Sequence, residues 1–62
     1  MKAIYVLGER IYKSEVVYFE KDGVMKYDKN GSVVTLDHYQ VNHGNAGVID
    51  LFDEDIIDVY MT

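Results

Sequence analysis

The sequence predicts a mainly β fold, a small antiparallel meander of five to six short strands. Two observations carry that prediction. Runs of β-branched and aromatic residues recur at close spacing: Val16-Val17-Tyr18-Phe19, Val24-Met25-Lys26-Tyr27 and Val33-Val34-Thr35-Leu36. They are punctuated by Asp22-Gly23 and Asn30-Gly31, dipeptides that tolerate the positive φ of tight hairpin turns. The expected strands lie near residues 2–7, 15–20, 24–28 and 32–36, with 15–20 paired to 24–28 across the Asp22-Gly23 turn.

The first strand rests on Ala3-Ile4-Tyr5-Val6-Leu7, an apolar run ended by Gly8, as expected of a strand covered on both faces. Glu9 to Glu15 reads as a loop or as the bent start of the second strand. In the meander, side chains alternate between faces. That alternation, with the segments beside it, predicts a core of Val6, Val17, Phe19, Val34, Leu36, Ile49 and Ile57. Asp37 to Asn42 fits a turn or a short strand, and His43-Gly44-Asn45-Ala46-Gly47 is a loop by composition.

Residues 48–61 fit two periods. At 3.6 residues, Ile49, Phe52, Ile56, Val59 and Tyr60 share a helical face opposite the acids. At 2.0, two strands flank a turn at Asp53-Glu54-Asp55. Val, Ile and Tyr dominate this segment, and Asp is poor inside helices, which favours the strands. The alternative is an α+β fold, a three- or four-stranded sheet with one C-terminal helix. In strand count and turn spacing the chain resembles small SH3-like barrels, which implies a half-barrel and assigns no functional residue.

Sixty-two residues allow one small domain, 1–62. A domain of this size buries only about 60% of the surface its unfolded chain exposes. Disulfides, a metal or a partner chain usually supplement such a core. Cys is absent, which removes disulfides and thiolate metal sites and leaves a partner or a second copy. No apolar run approaches the roughly 20 residues of a membrane helix, and the N-terminal apolar run is too short for a signal peptide. The expected location is the cytoplasm, that of a host cell if the chain is viral.

Net charge is −5, unevenly spread. Residues 1–31 are nearly balanced. Residues 32–62 hold Asp37, Asp50, Asp53, Glu54, Asp55 and Asp58 and no Lys or Arg. Such a segment repels phosphate backbones and suits a basic protein surface. The expected partner-binding residues are Asp50, Asp53, Glu54, Asp55 and Asp58, bordered by Tyr39, Phe52 and Tyr60. Against a solvated face that keeps the chain dissolved, this reading gains from the six Tyr residues, a residue type enriched at interfaces.

Other chemistries find little support. A calcium loop needs a sharp-turn Gly and a distal bidentate Glu, and Asp53-Glu54-Asp55 is followed by Ile56-Ile57. His38 and His43 titrate in the range of general bases, yet Ser14, Ser32, Thr35 and Thr62 sit in no nucleophile elbow. Gly8-Glu9-Arg10 and Gly44-Asn45-Ala46-Gly47 lack the Gly-Lys-Ser/Thr of a phosphate loop. The expectation is a non-enzymatic, cofactor-free binding module. Size and charge suggest a bacteriophage or mobile-element accessory protein that modulates a host enzyme. The alternative is a self-associating structural module, a homodimer; a nucleic-acid-binding small barrel comes third.

Overall fold

The computed structural model describes residues 1–62. Five antiparallel strands form one open sheet in the order β4-β3-β2-β1-β5. They are β1 (Lys2–Leu7), β2 (Arg10–Tyr27), β3 (Val33–Asn42), β4 (Val48–Phe52) and β5 (Ile56–Tyr60). Single 3-10 turns at Gly44–Ala46 and Asp53–Asp55 are the only helical turns. The mainly β meander is therefore the fold, and residues 48–61 take the strand-turn-strand form with the turn at Asp53–Asp55.

β2 organises the sheet. Its first third pairs with β1, from Arg10 opposite Leu7 to Glu15 opposite Lys2. The rest pairs with β3, from Val16 opposite Val41 to Tyr27 opposite Val33. Ala3 and Tyr5 of β1, Tyr39 and Val41 of β3 and Leu51 of β4 form one core, with Tyr12 and Val16 of β2 packed against it. The sheet is open, with β4 and β5 as its edges.

The expected hairpin at Asp22-Gly23 does not form. Residues 15–20 and 24–28 are not partners. Both runs belong to β2 and pair with β3. Lys21-Asp22-Gly23 forms a bulge: Glu20 faces His38 and Val24 faces Leu36, so three residues stand opposite Asp37 alone. A type I′ turn needs positive φ at both central residues, and here only Asp22 has it, at 55°. The bulge is held by the Asp22 N–H, which donates to Asp37 Oδ1 at 3.0 Å, and by the Thr35 hydroxyl, which donates to Asp22 Oδ1 at 3.2 Å.

The turn around Asn30-Gly31 does form and joins β2 to β3. Asp28 Oδ1 accepts from the N–H groups of Asn30 and Ser32 at 2.8 and 2.9 Å. Gly31 has φ 80°, which costs Gly little.

The expected core differs from the observed one, and bulges explain most of the difference. Val17 has no partner on β3, because Val16 faces Val41 and Tyr18 faces Gln40. That one extra residue reverses the alternation, leaves Val17 54% exposed and keeps both Val16 and Phe19 on the inner face. Ile57 sits in a similar bulge, with Ile4 opposite Asp58 and Tyr5 opposite Ile56, and is 55% exposed. Val6 and Phe19 are also partly exposed, and Val34, Leu36 and Ile49 are half-buried. Met25 lies opposite Thr35, not Val34, so Val34 and Leu36 occupy the outer face with His38.

Candidate functional site

Strand alternation carries the candidate site. Tyr39 and Val41 point into the core, so His38 and Gln40 point out. Directly opposite partners share a face. Tyr18 and Glu20 on β2, and Asp50 and Phe52 on β4, therefore join them on the outer surface of β2-β3-β4.

The imidazole of His38 is the centre of this group. It stacks on Phe52 with ring centroids 5.3 Å apart and meets Tyr18 edge-on at 5.9 Å. Its Nε2 lies 2.7 Å from Asp50 Oδ1, and Gln40 Nε2 donates to the same oxygen at 3.1 Å. Hydrogen bonds to a carboxylate favour the charged form: those from Gln40 and then His38 hold the Asp50 carboxyl below its ordinary value of 3.8. Beside it, Tyr18 donates its hydroxyl to Glu20 Oε2 at 2.9 Å. That hydrogen bond raises the Tyr18 pKa above the ordinary 10.0, with desolvation and the Glu20 charge adding to it. The outer face thus presents an organised carboxylate, flanked by aromatic rings.

The residues expected to form one acidic docking segment are split among three places. Asp50 and Phe52 lie in the His38 group. Asp53, Glu54 and Asp55 form the corner between β4 and β5, where each has local work. Asp53 Oδ1 accepts from the Asp37 N–H at 3.0 Å, Asp55 Oδ2 accepts from the Phe52 N–H at 3.4 Å, and Glu54 pairs with Lys26 at 2.6 Å. Asp58 and Tyr60 lie on β5, opposite Ile4 and Lys2 of β1. Tyr39 is 8% exposed and its ring packs on Phe19 at 4.9 Å. Burial, then the charges of Asp37 and Asp53, raise its hydroxyl above the ordinary 10.0. Tyr39 belongs to the core and borders no surface patch. Tyr18 and Tyr27 lie on opposite faces of the sheet.

His38, Gln40 and Tyr18 were not among the expected partner-binding residues. Their signal was the continuation of strand alternation past Asp37, which sets His38 and Gln40 on one side and Tyr39 and Val41 on the other.

The other histidine has an interior role. The buried hydroxyl of Tyr5 is hydrogen-bonded to Ser14 Oγ at 2.8 Å and to His43 Nδ1. His43 also meets the edge of Tyr12 at 4.7 Å. Ser14 and His43 are thus brought together with Tyr5 between them, and the trio ties the 43–47 loop to β1 and β2. No group of three or more His, Asp or Glu side chains is placed to hold a metal ion. No family model, curated protein or solved structure matches the chain.

Proposed function

We infer that this chain is a small acidic protein-binding module that docks on a basic surface of another macromolecule. The contact surface is the outer face of β2-β3-β4, with Asp50 as its charged anchor. One observation supports this above the rest: His38 and Gln40 both bond Asp50 Oδ1, which leaves Oδ2 for a partner, and Phe52 and Tyr18 flank the group. A guanidinium matches both features, since it bonds carboxylates and stacks on aromatic faces. Glu20 and Asp58 add long-range attraction for a basic partner, which raises association rates. The module suits a viral or mobile-element accessory protein that occupies the basic surface of a host nucleic-acid enzyme.

Affinity capture from lysate, with the wild-type chain and with Asp50→Asn/Phe52→Ala compared by mass spectrometry, tests the reading. A protein retained by the wild type, lost by the variant and eluted by salt is the expected result. Equal retention of every captured protein by both chains would remove this face from the function.

A further inference from the structure

The two edges of the open sheet differ. β5 is interrupted by the bulge at Ile57, and a bulge turns an edge away from a further strand. β4 is regular along its whole length, from Val48 opposite Asn42 to Phe52 opposite His38. No strand lies on its other side, and its only charged residue is Asp50.

Two bonds fix which backbone groups of β4 are unpaired. The His43 N–H donates to the carbonyl of Gly47 at 2.7 Å, so position 47 directs its carbonyl toward β3. Antiparallel pairs alternate between bonded and unbonded. Ile49 and Leu51 therefore bond β3, while Val48, Asp50 and Phe52 direct their N–H and C=O groups away from the sheet. Phe52 agrees, since its N–H reaches the Asp55 carboxylate instead of β3. The same three residues carry their side chains on the outer face, and the Asp50 side chain is 58% exposed.

We propose that the β4 edge takes an extended, basic segment of another protein as an added antiparallel strand, with an arginine or lysine opposite Asp50. This partner rests on the outer-face reading and gives it a shape. Two observations select it. The first is the backbone: open N–H and C=O groups at alternate residues are matched by another extended chain, whose main-chain bonds hold it and whose alternate side chains specify it. The second is charge. A residue directly opposite Asp50 shares its face, with Cβ atoms about 5 Å apart. Its cation reaches Oδ2, the oxygen that His38 and Gln40 leave open, and Phe52 lies diagonally within reach of its stem. The same carboxylate turns away a second copy. Full antiparallel pairing of β4 with another β4 sets Asp50 directly against Asp50, a destabilising pair, in chains of net charge −5. Nucleic acid offers no strand for the edge and is repelled by that charge.

The test is a titration of the labelled full chain, at low salt, with the capped peptide Thr-Val-Thr-Arg-Thr-Val-Thr. Its arginine belongs opposite Asp50 and its valines opposite Val48 and Phe52. At about ten times the dissociation constant, the peptide should slow exchange of the Val48 and Asp50 amides roughly tenfold. The Ile49 and Leu51 amides, already bonded to β3, should change little. Methylating the arginine backbone nitrogen, which faces the Asp50 carbonyl, should weaken binding roughly tenfold. Methylating the next threonine nitrogen, which faces away, should not. Equal binding by both methylated peptides, with His38 and Asp50 signals still shifting, would overturn the added strand and leave the outer-face reading standing. Equal protection by a peptide with glutamine in place of arginine would overturn the basic partner, and the outer-face reading with it. Protection of Val48 and Asp50 that rises with the concentration of the chain alone would give the edge to a second copy and overturn the proposal. Neither protection nor shifts at millimolar peptide would overturn both readings.

Discussion

His38 of β3 reaches across to Asp50 of β4, with Nε2 2.7 Å from Oδ1, while its ring lies against Phe52. The pair joins a strand inside the sheet to an edge strand, on the face pointing away from the core. Because Gln40 bonds the same oxygen, the Asp50 carboxylate is favoured in the fold more than in the unfolded chain.

The sign of the pH effect follows from that. A carboxyl whose folded pKa lies below 3.8 contributes stability that is present above 3.8 and lost as pH falls through the lowered value. Thermal melts should therefore show a loss between neutral pH and pH below 3.8, and Asp50→Asn should make it smaller. An Asp50→Asn chain with the same acid-side profile as the wild type would show that this carboxyl takes no part.

Tyr39 supplies the opposite limb. Its hydroxyl is held above 10.0 by burial and by Asp37 and Asp53, so the fold favours its neutral form. That contribution is full below 10.0 and fades as pH climbs through the raised value. Ultraviolet titration should show Tyr18 and Tyr39 ionising late, and Tyr39→Phe should remove the part of that late component that accompanies unfolding.

The two turn dipeptides should respond differently to Ala. Gly31 has φ 80°, so Gly31→Ala should destabilise by about 1 kcal/mol, because the left-handed backbone strains any Cβ. Gly23 is not left-handed, and its added Cβ would meet only the Glu20 side chain, a flexible exposed group that can swing away. Gly23→Ala should cost under ~0.5 kcal/mol. Denaturant unfolding of both variants checks the pair. Equal large costs would restore a tight turn at Asp22-Gly23 and split β2 in two.

Core and interior variants rank the elements. Leu51→Ala should cost on the order of 3 kcal/mol, against a total of about 3 to 9 kcal/mol for a chain of this length. The chain should then be largely unfolded or close to it. Phe19→Ala should cost distinctly less, since Phe19 is 39% exposed. Tyr5→Phe removes the hydroxyl shared with Ser14 and His43 and should cost about 1–2 kcal/mol. Amides of residues 43–47 should then exchange faster, and a loop left as protected as before would deny His43 its anchoring role.

Strand composition and turn chemistry made the β class, β1 and the β2–β3 turn legible, because each is a local property. Residues 48–61 were legible too, because Asp53–Asp55 separates two runs of Val, Ile, Leu and Phe. The bulges were not. Val17 and Ile57 look like any other strand residue, and only their failure to find a partner on β3 or β1 sends them outward. The Asp22-Gly23 signal was real, in that Asp22 has positive φ, yet a bulge uses the same residues as a turn. The acidic segment was legible as composition. Asp55 bonds the nearby Phe52 N–H, but the backbone bond of Asp53, the ion pair of Glu54 and the anchoring of Asp50 depend on Asp37, Lys26, His38 and Gln40, distant in sequence.

The outer-face reading meets its most direct test in a nuclear magnetic resonance titration of the labelled chain with a short arginine-containing peptide at low salt. Amide and ring signals of His38, Gln40, Asp50 and Phe52 should shift together and saturate, and Asp50→Asn should abolish the response. Shifts confined to the hairpin's inner face around Met25 and Tyr27, or spread over Glu54 and Asp58 without His38 and Asp50, would contradict it.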